Sequence, residues 1–142
     1  MSATTETFTL AVPGDPQVLP LVRALVELAG RRCGLDDAAR YEVVVAVNEA
    51  CSNVMNHAHC GDRGLTMTLE CRIREEGLEV TLRDQGPHFD FLAAPELDPT
   101  EVRQGGRGVF LIRRFFDQLA WSPLPGGGNE LRMLKRRPQP QG

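Results

Sequence analysis

Tyr41-Glu-Val-Val-Val-Ala-Val-Asn-Glu-Ala-Cys-Ser-Asn-Val-Met-Asn-His-Ala-His59 is an apolar run broken by polar groups at helical spacing. Glu49, Asn53 and His57 fall at i, i+4 and i+8, so on an α-helix they form one stripe. A carboxylate and an amide set beside so many valines are costly to bury without partners. The stripe is therefore expected to face a cleft, a metal or a ligand.

Upstream of this helix, Thr7 to Val12 alternates weakly and stops at Pro13-Gly14-Asp15-Pro16, a short strand ended by a turn. Leu19, Val22, Leu25 and Val26 then recur at three-to-four spacing. With Asp15 as a cap and proline in the first turn, they predict a helix over Pro16 to Arg32. Cys33-Gly34 ends it, and Asp36 or Asp37 caps the second helix, which is expected to run to about Ala58.

Downstream, Leu65, Met67, Leu69, Cys71 and Ile73 alternate with polar residues, Glu76-Gly77 turns the chain, and Leu78, Val80 and Leu82 alternate again. This is an antiparallel hairpin with one buried face. From Gln85 to Gly106 periodicity fails, which predicts a long loop of the kind that often serves as a functional lid. Arg107 to Phe116 is apolar at helical spacing. Strands are expected over Leu119 to Ser122 and Glu130 to Arg136, on either side of a Pro- and Gly-rich turn. Residues 1–137 read as a single domain, and 138–142 as a disordered tail.

Composition narrows the function classes. The 142 residues suffice for one core. Nineteen acidic and 16 basic residues give a net charge of -3 with no long basic block, so neither nucleic acid nor an anionic membrane is an expected partner. Small molecules or proteins fit better. Cys33, Cys51, Cys60 and Cys71 lack CxxC spacing and read as reduced thiols. With no signal-peptide pattern and no apolar run near the ~20 residues that span a bilayer, a cytoplasmic location is expected.

Three short motifs stand in order: Glu49-x-x-x-Asn53, Asp84-x-Gly86 and Gly106-x-Gly108. Each alone is ambiguous. Glu49 and Asn53 could be a solvated stripe, Asp84-x-Gly86 an ordinary turn, and the glycines a flexible connector. Together, on a helix, a strand end and a loop-to-helix junction, they resemble the nucleotide-binding boxes of the GHKL ATPase and kinase superfamily. Asn48 to Ala58, Leu82-Arg-Asp-Gln-Gly-Pro-His-Phe-Asp90 and Gly106-Arg-Gly-Val-Phe-Leu-Ile112 are similar to one branch of it, the bacterial anti-sigma-factor serine kinases. One departure is Pro87-His88-Phe89, where that family often carries a second glycine.

The resemblance implies an α/β (α+β) sandwich of the Bergerat type: a mixed, mainly antiparallel sheet with helices on one face, ATP between the helices and a mobile lid. It implies ATP and Mg2+ as cofactors, with Asn53 offering a hard amide oxygen to the metal and Glu49 accepting the proton of an attacking hydroxyl. Asp84 would accept a hydrogen bond from the adenine amine, and Gly86 would let the backbone approach the base. Gly105, Gly106 and Gly108, opening a helix, would cradle phosphate, with Arg103 and Arg107 as candidates for the terminal phosphate or as solvated side chains. His57 reads as a supporting group.

The implied function is an anti-sigma factor and ATP-dependent protein serine kinase. Its implied partners are a sigma factor, a STAS-type anti-sigma-factor antagonist and a second copy in a homodimer. Two alternatives stay open: a nucleotide-binding interaction module without phosphoryl transfer, and a detached histidine-kinase-type catalytic domain. The short lid and the lack of a dimerising helical hairpin argue against the second.

Overall fold

Period-two alternation becomes a five-stranded sheet, whose strands are β1 (Glu6–Pro13), β2 (Thr66–Ile73), β3 (Gly77–Asp84), β4 (Gln118–Pro123) and β5 (Asn129–Arg136). The computed structural model describes residues 5–93 and 106–138. The strand order is β1-β2-β3-β5-β4, which makes β3 the central strand. All four described pairings are antiparallel. The sheet expected to be mixed thus has no parallel pair among the described residues. Two of its pairings are hairpins, β2 with β3 and β4 with β5, which tight turns can close only antiparallel.

Register puts the apolar rows on one face. Phe8, Leu10 and Val12 lie opposite Cys71, Leu69 and Met67, and Val80 and Leu82 lie opposite Met133 and Leu131. Leu119 and Trp121 complete the row from β4. The opposite face carries charges in a ladder: Arg83 pairs with Glu130 at 2.9 Å and with Glu70 at 3.6 Å, and Arg132 pairs with Glu130 at 3.0 Å. These contacts hold the Arg83 guanidinium above its ordinary pKa, the Glu130 hydrogen bond first among them.

Helices cover the apolar face. They are α1 (Leu19–Cys33), α2 (Asp37–Asn53) and α3 (Gly106–Phe115), with α2 packed between the other two. Val22, Val26 and Ala29 of α1 and Val43, Ala46, Val47 and Ala50 of α2 join Met67, Leu69, Val80, Leu82, Ile112 and Met133 in one hydrophobic cluster. Lys135 on β5 reaches both Glu42 of α2 (2.8 Å) and the Phe115 carbonyl at the end of α3 (2.9 Å), placing a cation where the helix dipole is negative.

Helix boundaries follow the expected signals with two differences. Pro16–Val18 is a 3-10 turn, capped by Asp15 accepting from the Gln17 N–H at 3.0 Å, and the α-helix proper begins at Leu19. Pro20 then sits where the missing N–H is harmless. At the other end of the helical layer, α2 does not continue in α geometry to Ala58: Val54–Ala58 is a π turn, with the His59 N–H bonded to the Val54 carbonyl at 2.7 Å. Gly34 ends α1 in the left-handed region (φ 85°), and Asp36 caps α2 through the Ala39 N–H at 2.8 Å. All four cysteines are free thiols. Burial pushes Cys51 and Cys71 up to about 12. No described helix is long and apolar enough to cross a membrane.

The tail expected from 138 onward lies outside the described residues apart from Pro138, and most of the expected lid, 94–105, lies outside them too. The β2–β3 turn depends on Gly77, at φ 155°, where an added Cβ would come within 2.0 Å of the Lys135 carbonyl oxygen. By contrast, Gly126 has positive φ but open space around it. Gly77→Ala should therefore cost about 1 to 3 kcal/mol of backbone clash in addition to the conformational penalty that Gly126→Ala also carries. Urea denaturation of the two variants should show the larger loss at Gly77; equal losses would contradict the close approach of β5.

Candidate functional site

The apolar rows of β3 and β5 both end in a buried polar residue. After Val80 and Leu82 comes Asp84; before Leu131 and Met133 stands Asn129, its ladder partner. A carboxylate at the edge of a hydrophobic layer must be compensated, because an unpaired buried charge costs roughly several kcal/mol. Asp84 Oδ1 accepts the Gly86 N–H at 2.8 Å and the Asn129 Nδ2–H at 3.0 Å. His59 Nε2 lies 4.0 Å from the same oxygen. Every described hydrogen bond of this carboxylate falls on Oδ1.

Residues that follow Asp84 are seated on the π turn at the end of α2. His57 stacks on Phe89, with ring centroids 5.7 Å apart and planes 9° from parallel. A Cβ on Gly86 would meet the Ala58 carbonyl oxygen at 2.4 Å, so this glycine is required by the protein's own packing. His59 Nε2 accepts the Gln85 N–H at 3.3 Å. His57 and Ala58 of the turn and His59 that caps it thus hold the segment from Gln85 to Phe89 against the helix that carries Glu49 and Asn53.

Glu49 and Asn53 are one helical turn apart on α2, as the spacing predicts, and they differ in environment. Glu49 is half-buried and makes no hydrogen bond or ion pair with a described residue. Asn53 is only 4% exposed, and its Nδ2 has no hydrogen-bond partner among the described residues. A buried amide with an unmet bond at the end of an apolar helix is a group in want of a ligand. Asn48, which precedes Glu49, accepts a hydrogen bond from Arg23 of α1 at 2.9 Å. His57 leaves the stripe: the wider π turn carries its side chain to an exposed position on Phe89.

Gly106, Arg107 and Gly108 form the first three positions of α3, as the loop-to-helix reading expects. Arg103 and Gly105 lie outside the described residues. The arrangement can present a half-buried carboxylate, an unsatisfied amide, a fixed carboxylate at a strand end and a helix N-terminus with free N–H groups.

Sequence reasoning missed Asn129 and His59. Asn129 is hidden in a turn-like context after Gly126-Gly-Gly128, and only its register opposite Asp84 gives it a partner. His59 is buried because Gly14 leaves room for it: a Cβ at Gly14 would come within 2.6 Å of His59 Nδ1. Burial lowers the His59 pKa, and Asp84 and Asp62 oppose this only in part. The neutral ring accepts from Gln85 through Nε2, which leaves the proton on Nδ1, a buried atom with no partner among the described residues.

Because the unfolded imidazole protonates near its ordinary value of about 6.5 and the folded one resists, the His59 contribution to stability is full above that pH. It declines as the pH falls from there towards the depressed folded-state value. Melting of the apo protein between pH 7.5 and 5.5 should show this decline, and His59→Gln, which keeps an acceptor for the Gln85 N–H, should flatten it. An identical slope in the variant would exclude His59 as the source.

Comparison with known proteins identifies the family and the fold. A family model described as histidine kinase-like ATPase domain matches residues 12–135. A serine-protein kinase RsbW of Halalkalibacterium halodurans is 34% identical over 122 residues, covering 80% of this chain and 74% of the relative. The protein of the same name from Listeria innocua is 32% identical over 127 residues, covering 84% and 81%. That from Bacillus subtilis is 26% identical over 118 residues, covering 78% and 74%. The crystal structure of the RsbU and RsbW domains of Rv1364c from Mycobacterium tuberculosis shares the fold at a TM-score of 0.61 and 12% identity, over 92% of this chain and 32% of that longer one. An antiparallel sheet layered with three described helices, and paired motifs at its central strand end and covering helix, thus accompany similarity along nearly the whole sequence: the chain belongs to the histidine kinase-like ATPase domain family, among the RsbW-type serine-protein kinases.

Proposed function

We propose that this chain is an ATP-dependent protein serine kinase and anti-sigma factor. In this reading it sequesters a sigma factor and, in the alternative complex, phosphorylates a serine of a STAS-type antagonist protein, whose release completes a partner switch. The similarity to relatives that are serine-protein kinases RsbW supports the serine kinase activity. The observation that carries the reading is Asn53: 4% exposed, with an Nδ2 donor that no described residue meets and an acceptor on a bound nucleotide can, one helical turn from a carboxylate that no described residue engages.

Asp84, held through Oδ1, has its second oxygen left to accept from the exocyclic amine of adenine. The N–H groups at the start of α3, from Gly106 to Gly108, are suited to phosphate, where glycines leave the approach open. Asn53 fits Mg2+ through its amide oxygen, a hard donor of the kind that ion takes together with phosphates and waters. Bound there, the ion would neutralise charge on the phosphates. Glu49 would receive the proton of the antagonist's serine hydroxyl as its oxygen bonds to the terminal phosphorus. The bond from that phosphorus to the bridging oxygen breaks, and ADP departs. A homodimer remains part of the proposal through the family likeness.

Glu49→Gln separates chemistry from binding. The variant keeps the side-chain shape and leaves Asn53 untouched, so calorimetric ATP affinity and capture of a sigma factor should be retained. Phosphate transfer to a cognate antagonist should fall roughly 100-fold or more, the scale of losing a general base. Labelling at the wild-type rate would remove Glu49 from the mechanism. Wild-type protein that binds ATP and its partners yet labels no antagonist would assign the chain to the interaction modules that bind nucleotide without transferring phosphate.

A further inference from the structure

Asn129 is 1% exposed and uses its whole hydrogen-bonding capacity. Its Nδ2 donates to Asp84 Oδ1 at 3.0 Å and to the Pro87 carbonyl at 2.9 Å. Its Oδ1 accepts the Phe89 N–H at 2.8 Å and the Trp121 Nε1–H at 3.2 Å. Two donors and two acceptor sites exhaust a carboxamide. Reversing the amide would set NH2 against two N–H donors and oxygen against two oxygens, so its orientation is fixed by its surroundings. β5 is pressed into this place, for a Cβ on Gly128 would meet the Asp84 carbonyl oxygen at 2.3 Å.

We infer that Asn129 is a positioning residue that fixes the plane of the Asp84 carboxylate and so the direction of its second oxygen, and through this sharpens the site's preference for a base bearing an amine at the matching position. The inference rests on the nucleotide-binding reading above. Gly86 alone, two residues away, would leave the carboxylate free to swing with its own loop. The bond from β5, 45 residues distant in sequence, ties it to the sheet. An ionised carboxylate only accepts, and with Oδ1 doubly held its second oxygen has one fixed direction. It attracts the 6-amino group of adenine and opposes the 6-oxo group of hypoxanthine or guanine. The same amide joins Asp84 to Trp121, the sole tryptophan of the chain.

Calorimetry with ATP and with inosine triphosphate, whose bases differ at the 6-position and in the proton on N1, tests this without any phosphorylation assay. Wild-type protein should prefer ATP. Asn129→Ala should lose tenfold or more in ATP affinity and little for inosine triphosphate, so that the ratio collapses. A loss of fold would instead lower both affinities together. Melting without nucleotide guards against that outcome in Asn129→Ala and in Asn129→Ser, which sets no second carboxylate beside Asp84, and the ratio should collapse in both. Tryptophan emission should respond to ATP in wild-type protein, and the response should be lost in Asn129→Ala at saturating ATP.

An unchanged ratio in both folded variants would overturn the positioning role while leaving ATP binding intact. Wild-type protein that binds neither nucleotide would overturn the functional reading itself.

Discussion

The carboxylate of Asp84 is the constraint around which the rest of the structure is arranged. It is buried at the end of the central strand, where water cannot solvate it, so the chain supplies donors from two directions, Gly86 and Asn129. Meeting that need fixes much else. Gly86 must approach Ala58, Gly128 must approach the Asp84 backbone, and Gly14 must make way for His59, each through a contact that a Cβ would forbid. The end of α2, the start of β5 and the segment after β3 therefore converge because one charge has to be held. A hydrophobic layer alone would not specify their meeting.

That convergence also explains the π turn. An α-helix continued through Ala58 would keep Glu49, Asn53 and His57 on one stripe. Widening the last turn carries His57 outward to stack on Phe89 and directs His59 inward to the Gln85 N–H. Such turns recur at functional positions because they re-aim side chains without ending the helix. Here the turn leaves Asn53 as the last α-helical residue, buried with an unmet amide atom.

Much of this was legible in the sequence because it is local. Three-to-four spacing marked α1 and α2, alternation marked β2 and β3, and Asp15, Gly34 and Asp36 marked the helix ends, since caps and periodicity depend on residues within a turn of one another. Glu49, Asn53, Asp84 and Gly86 could be picked out because their types stand against their surroundings. What escaped is non-local. Asn129 looks like a turn residue until β5 pairs with β3, and His59 looks like a surface histidine until Gly14 lets β1 close over it. The π turn has no pattern of its own, for the residues Val54 to Ala58 suit an α-helix equally well. Gly86 was legible as a position needing no side chain, but the close neighbour turned out to be Ala58 of the protein itself.

The central claim is that Asp84, locked through Oδ1, is the group that recognises the base of ATP. Asp84→Asn tests it most directly, since the lock dictates the orientation of the new amide: its oxygen must stay with the Gly86 and Asn129 donors, which forces NH2 to the position facing an adenine amine. Calorimetry should show a loss of ~1.5 to 3 kcal/mol, about one to two decades in ATP affinity, in a variant whose melting without nucleotide is retained. Wild-type affinity in that folded variant would contradict the account.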